Sequence, residues 1–298
     1  MPNAFDLSDD RAYRSWRARK LDQDPPLSEQ LAVEIRRLSE PSQAERAALR
    51  ERVAAYNVAL VRVRPEDVTP EAILALGRAL GLTRTDDNLF ADDRAVSRIA
   101  AAPQLPRGRE PAPANRADFI PYTNKPLRWH TDGYYNAPED QVLAWTLFCA
   151  RPAREGGVNS LLDPEVAYIR LRDATDSHIA ALAHPEALRI PPNWQHGRLI
   201  RPDSVGPVFS IRDGYLHMRY SARARNVIWR SSAETTAARD ALTQLFSVGD
   251  AFTLTHRLAA GEGFITNNVL HSRTGFSDGD TVASQRLLYR VRYRERIR

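Results

Sequence analysis

The sequence holds a single cysteine, Cys149, in 298 residues. It cannot close an internal disulfide, and it sits inside the apolar run VLAWTLFCA (142–150). A buried thiol in a cytoplasmic protein is therefore expected, and zinc sites built on cysteine are excluded. Long hydrophobic segments are also missing. That same run is the longest, and it is too short to cross a bilayer. The first twenty residues, MPNAFDLSDDRAYRSWRARK, mix acids and bases without an apolar stretch, so no secretory signal is expected. The chain shows no block of Lys and Arg, no zinc-finger spacing and no aromatic–basic RNA motif. The net charge of +5 and pI near 9.5 come nearly all from arginine, interspersed with acids. A nucleic-acid partner is not expected on that pattern, and a small anionic ligand accounts for the charge equally well. No repeat and no linker divides the chain.

What is present is an ordinary globular balance, with 43% hydrophobic and 27% charged residues. Residues 1–40 are polar and helix-prone and read as an N-terminal helical arm. Residues 41–298 read as a single catalytic domain. QAERAALRERVAAY (43–56) has helical periodicity and VALVRV (58–63) reads as a strand. Thr69 and Pro70 mark a helix start that Gly81 ends. The irregular stretch 84–128 has the character of a lid or binding loop. From 129 onward strands dominate. QVLAWTLFCA is a buried strand candidate, and GGVNSLLD is a turn running into a strand. Asp163 and Pro164 open a helix. PVFSIRDGYLHMRY alternates around an Asp-Gly turn, a hairpin signal. Ser231-x-x-Glu234 has the form of a capping box for a helix with Ala238, Leu242, Leu245 and Phe246 on one face. AFTLTHRLAAGEGFITNNVLH reads as strand, glycine turn, strand, and QRLLYRVRYR as a closing strand. The expected fold is mainly β with flanking helices around a barrel or sandwich of jelly-roll type.

Chemistry concentrates in LRWHTDGYYN (127–136). His130 and Asp132 are separated by one residue, and on a strand both side chains would point to the same face. A histidine on a neighbouring strand, with His271 as the candidate, would complete two histidines and one carboxylate around a metal. That set leaves positions open, as in the facial triad of non-haem Fe(II) oxygenases. A lone His-x-Asp pair is common by chance. The arginines of RLLYR raise its standing, because Arg286, with Arg290 four residues later, offers a fork for a dicarboxylate. His178, His184, His196, His217 and His256 read as structural. Arg219, Arg223 and Arg225 form either a solvated hairpin edge, the reading preferred here, or a patch for a carboxylate, sulfonate or phosphate.

The blocks WHTDGYY, GGVNSLLD, NNVLHSRTGF and RLLYR, in this order, resemble the TauD/TfdA (taurine dioxygenase-like) family of Fe(II)- and 2-oxoglutarate-dependent oxygenases. YTNKPLRWHTDGYY and VLHSRTGF are similar to the γ-butyrobetaine hydroxylase branch. The resemblance spans roughly residues 45–295. It implies a double-stranded β-helix (jelly-roll, cupin-like) core, with His130, Asp132 and His271 as catalytic iron ligands. It also implies that Arg286 holds the distal carboxylate of the 2-oxoglutarate co-substrate, and that Arg290 and Asn159 contribute to co-substrate binding. Asn159, with Ser160 beside it, stands where the family commonly has Thr or Ser. A carboxylate at position 132 favours hydroxylation or another oxidation over halogenation. Tyr122, Asn124, Tyr134, Tyr135 and Asn136 flank the motif and are expected to border the substrate pocket. In the similar hydroxylases, aromatics near this place receive a quaternary ammonium. The implied enzyme is a dioxygenase that consumes O2, oxidises a C–H bond of a small, charged organic molecule, and releases succinate and CO2. A homo-oligomer, dimer or tetramer, and a cytoplasmic location go with it, and no membrane partner. The rival readings are a non-catalytic jelly-roll binding or regulatory protein, and an oxygenase acting on nucleic acid.

Overall fold

A computed structural model describes residues 3–88, 90–101, 119–195, 197–223, 227–281 and 284–298. His196, Arg225 and the middle of the 84–128 stretch lie outside the described residues. The larger sheet has six strands in the order Ala32–Glu34, Val58–Arg62, Glu262–Thr266, Ala144–Arg151, Leu287–Tyr293 and Ser97–Ile99. Only its first pair is parallel. The smaller sheet runs Leu254–His256, Asn159–Leu162, Leu270–Arg273, Leu127–His130, all antiparallel. The two sheets share one core, in which Trp145, Leu147, Phe264 and Leu288 meet Leu161, Leu254 and Val269. This is the expected jelly-roll arrangement.

Side-chain period explains which face each residue takes. In Ala144–Arg151, Trp145, Leu147 and Cys149 enter the inter-sheet core, whereas Ala144 and Phe148 face outward. In Leu287–Tyr293, Leu288 points in, and Leu287, Tyr289, Val291 and Tyr293 point out. Arg290 and Arg292 share the parity of Leu288 and are buried. The outer face is covered by two helices. Gln43–Tyr56 starts at a capping box, in which the Ser42 hydroxyl accepts from the Glu45 N–H at 3.2 Å. Pro70–Ala79 starts at Thr69. Leu49, Val53, Ile73 and Leu76 seal against Phe148, Ile265 and Val291. A second core, around Tyr168, Leu182, Phe209 and Leu242, joins the helices Pro164–Ala174, Asp176–Leu182 and Ala233–Val248 to the hairpin Phe209–Arg212 and Tyr215–Met218.

One expectation needs correction. Ser232, not Ser231, caps the helix Ala233–Val248, accepting from the Thr235 N–H at 3.1 Å. The two serines are adjacent, and residue spacing alone does not choose between them. AFTLTHRLAAGEGFITNNVLH forms the expected strand, glycine turn and strand, with Leu254–His256 joining the smaller sheet and Glu262–Thr266 the larger one. Within residues 1–40, the helix Asp10–Leu21 packs against the helix Pro164–Ala174, with Lys20 buried against Asp163 at 2.6 Å and Glu165 at 2.8 Å. In the same segment Ala32–Glu34 forms an edge strand of the larger sheet.

Candidate active site

His130 ends the strand Leu127–His130 and His271 lies in Leu270–Arg273. The antiparallel register sets them directly opposite. Their ring centres are 4.1 Å apart. Asp132 lies just beyond the strand end, so strand periodicity alone does not aim it. Its backbone is clasped by Asn268. The Asp132 N–H donates to Asn268 Oδ1 at 2.8 Å, and Asn268 Nδ2 donates to the carbonyls of Asp132 at 3.0 Å and Val142 at 2.6 Å. Thr131 is fixed on the other side through Tyr220. The chain then turns at Gly133, at φ +66°, where a Cβ would strike Val142. The ligand atoms of His130, Asp132 and His271 all lie within 4.8 Å of one another.

The electrostatics suit a cation. His130 Nδ1 lies 2.9 Å from the Arg128 carbonyl and His271 Nδ1 lies 3.0 Å from the Val269 carbonyl. A carbonyl only accepts, so each Nδ1 carries the proton and each Nε2 offers its lone pair. Burial, with His271 beside it, pushes the His130 imidazolium down to about 3, and burial also lowers His271. Both rings are neutral at neutral pH. Burial opposes ionisation of Asp132, but the Arg290 guanidinium and its neighbours outweigh that and hold the carboxyl at about 2. Arg290 Nη1 sits 3.1 Å from Asp132 Oδ1, while Asp132 Oδ2 is buried without a partner. Two imidazole lone pairs and the Asp132 carboxylate therefore stand close together, a donor set that fits a divalent transition metal.

Arg286 is buried at 4% exposure, its guanidinium carbon 4.9 Å from the Phe276 ring centre. No carboxylate among the described residues lies within ion-pair reach of it, and burial lowers it to about 10. Arg273 stands on the other approach to the same ring at 4.7 Å and is lowered to about 9 by burial. Its Nη2 donates to the carbonyls of Thr123 and Lys125. Asn159 is buried directly opposite Arg273 in the ladder, so it shares the face of His271. Ser160 takes the other face.

The flanking residues behave differently. Tyr122 is buried in the inter-sheet core. Asn124 is exposed, and its carbonyl receives the Phe276 N–H. Tyr134 belongs to the helical core, and its carbonyl accepts from Arg219 Nε at 2.7 Å. Tyr135 does not present a free aromatic face for an ammonium. Arg201 and Arg292 stand over its ring at 5.5 and 5.7 Å, and its hydroxyl accepts from Arg292 at 2.6 Å. Asn136 bonds Asp86 and the Asp140 carbonyl. Arg219 is a buried staple on the carbonyls of Tyr134, Leu188, Gly206 and Ser204, not a surface patch. His256 pairs with Ser28 and Glu262. Asn268, Arg273 and Arg292 are additions to the residues singled out from sequence. Arg273 and Arg292 were signalled by their two-residue spacing from His271 and Arg290. Asn268 carried no comparable signal.

The family model of the taurine catabolism dioxygenase TauD, TfdA family matches residues 20–292. The chain belongs to this family. A uridine-5'-phosphate dioxygenase of Amycolatopsis sp. is 30% identical over 176 residues. That alignment covers 56% of this chain and 60% of the relative, so it spans less than two thirds of the relative's length. Among solved structures, an asparagine oxygenase in complex with Fe(II), 3-hydroxyasparagine and succinate matches with TM-score 0.57 and 20% identity, over 84% of this chain and 78% of that one. The non-heme iron oxygenase OrfP in complex with Fe and alpha-ketoglutaric acid matches with TM-score 0.61 and 17% identity, over 86% and 81%. These likenesses establish that the fold is that of the TauD/TfdA oxygenases.

Proposed function

We propose that this TauD/TfdA family member is an Fe(II)- and 2-oxoglutarate-dependent dioxygenase acting on a small, charged organic molecule. The observation that carries the reading is the largely buried cluster of His130, Asp132 and His271, whose ligand atoms lie within 4.8 Å of one another. Fe(II) and 2-oxoglutarate, when bound, supply O2-dependent oxidation: the oxo acid leaves as succinate and CO2, and a substrate C–H bond is oxidised. The chain's own residues do the rest. His130, Asp132 and His271 hold the metal on one face. Arg286, a buried cation with no carboxylate within ion-pair reach among the described residues, receives the distal carboxylate of 2-oxoglutarate as a bidentate fork. Asn159 flanks the co-substrate. Arg290 balances the charge of Asp132 and keeps it ionised. Uridine-5'-phosphate, asparagine and arginine derivatives in the relatives' names are all small and charged, and a substrate of that class is inferred here. Among the described residues no helix is long and apolar enough to cross a membrane.

The test is succinate release from 2-oxoglutarate by protein loaded with Fe(II) in air. Wild type is expected to turn over, and His130→Ala to lose both bound iron and turnover. Arg286→Lys is expected to raise the KM for 2-oxoglutarate at least about tenfold while kcat changes little, since a point charge does not replace a fork. An unchanged KM in Arg286→Lys would remove that residue from the co-substrate site.

A further inference from the structure

Away from the metal-ligand cluster, a cavity of about 390 Å³ opens beside the turn of the Phe209–Met218 hairpin. The segment 294–298 beyond the strand Leu287–Tyr293, the helix Gln43–Tyr56 and the turn at Gly81 close its other sides. None of its lining residues belongs to the site described above. Six of them are arginines: Arg50, Arg84, Arg212, Arg294, Arg296 and Arg298. The lining contains only two carboxylates, Asp213 and Glu295.

Pairing leaves charge unneutralised. Arg298 takes Asp213 at 2.7 Å, Arg84 takes Glu295 at 3.3 Å, and Arg294 takes Asp140, behind the wall, at 2.5 Å. The other three, Arg50, Arg212 and Arg296, have no carboxylate within ion-pair reach among the described residues. Their guanidinium groups donate to neutral oxygens, the carbonyls of Ala79 and Pro138 and the amide of Asn57. The Nε–H groups of Arg212, Arg294 and Arg296 are buried with no acceptor. Burial of cations and of unsatisfied donors is costly, and here both fall on one concave wall. Burial lowers Arg212 and Arg296 below an ordinary arginine, against the opposing pull of Glu139 and Asp213 on the first and of Glu165 and Asp163 on the second. Tyr215 stiffens the wall, with Arg296 4.6 Å and Arg298 5.8 Å from its ring centre.

We propose that this cavity is a second ligand site, separate from the metal centre, for a compact polyanion bearing phosphate or clustered carboxylates. Guanidinium forks match both groups bidentately, and a multiply charged anion offsets a lining of six arginines and two carboxylates. The small volume favours a compact anion over a nucleic-acid backbone, which needs an extended basic track. The inference does not depend on the iron reading.

Isothermal titration of the full chain with pyrophosphate and, separately, with citrate at physiological ionic strength tests it. One site is expected, and the tighter of the two probes assigns phosphate or carboxylate chemistry. Affinity is expected to fall tenfold or more in Arg212→Ala and in Arg50→Ala, and to survive in His271→Ala. Arg50 is only half-buried, so its variant keeps the proposal testable if Arg212→Ala fails to fold. No binding of either probe to wild type overturns the proposal. Unchanged affinity in the folded arginine variants, or loss in His271→Ala, does the same. Tighter binding of a short single-stranded oligonucleotide than of either probe, abolished by Arg212→Ala, overturns the compact-anion class.

Discussion

Asp132 is aimed by a residue far from it in sequence. Asn268 lies 136 residues away, and its amide brackets the Asp132 backbone through one donated and one accepted bond. Asn268 itself sits at φ +52°, a conformation Gly also adopts freely. Asn268→Gly therefore keeps the backbone turn and removes the clasp together with the bond to the Val142 carbonyl. Its Fe(II) affinity, read by chelator competition, is expected to drop about 10–100-fold, and the buried Asp132 N–H and Val142 carbonyl left without the amide are expected to cost about 1–3 kcal/mol of stability. An unchanged affinity would mean that Asp132 is positioned without it. The three candidate metal-holding residues were legible in the sequence because His-x-Asp spacing and a later His are local patterns. The clasp was not, because a side-chain bond to a distant backbone leaves no periodic trace.

Elements were read best where one rule decided them. Leu287–Tyr293 alternates, and alternation sends Arg290 and Arg292 inward with Leu288. Gln43–Tyr56 carries a complete capping box at Ser42 and Glu45 and formed as its pattern indicated. Rules that tie left ambiguity. Ser231 and Ser232 both precede the same helix, and the one that caps is Ser232. Ser232→Ala is expected to cost about 1 kcal/mol in urea unfolding and Ser231→Ala close to nothing; equal losses would contradict the assignment. The strands Leu254–His256 and Glu262–Thr266 were legible as strands. Their partners were not, because a connection that crosses between sheets and one that turns back within a sheet share the same glycine signal. The edge strand Ala32–Glu34 went unread for a related reason: three residues carry too little alternation, and only pairing with Val58–Arg62 defines them.

At the scale of the molecule, folding confines several ionisable groups to one charge state. His217 is one outside the metal centre. Burial, then the cations Arg212, Arg296 and Arg219, push its imidazolium from an ordinary 6.5 down to about 3, and its Nε2 donates to Gln141 at 2.7 Å. Between those two values the unfolded chain binds a proton that the folded chain refuses. Stability therefore falls as pH drops through that window, by up to about 1.4 kcal/mol per pH unit for one such group. Urea unfolding from pH 7 to pH 4.5 is expected to show this slope, and His217→Gln to reduce it by about one proton equivalent. An identical slope in the variant would contradict the assignment. The metal centre poses the larger question, since the account of this molecule rests on His130, Asp132 and His271 acting together with Arg286. Anaerobic addition of Fe(II) and then 2-oxoglutarate to the metal-free protein tests that most directly. The account predicts a weak visible metal-to-ligand charge-transfer band in wild type that is absent in His271→Ala. No band in wild type, or a band that survives in His271→Ala, would contradict it.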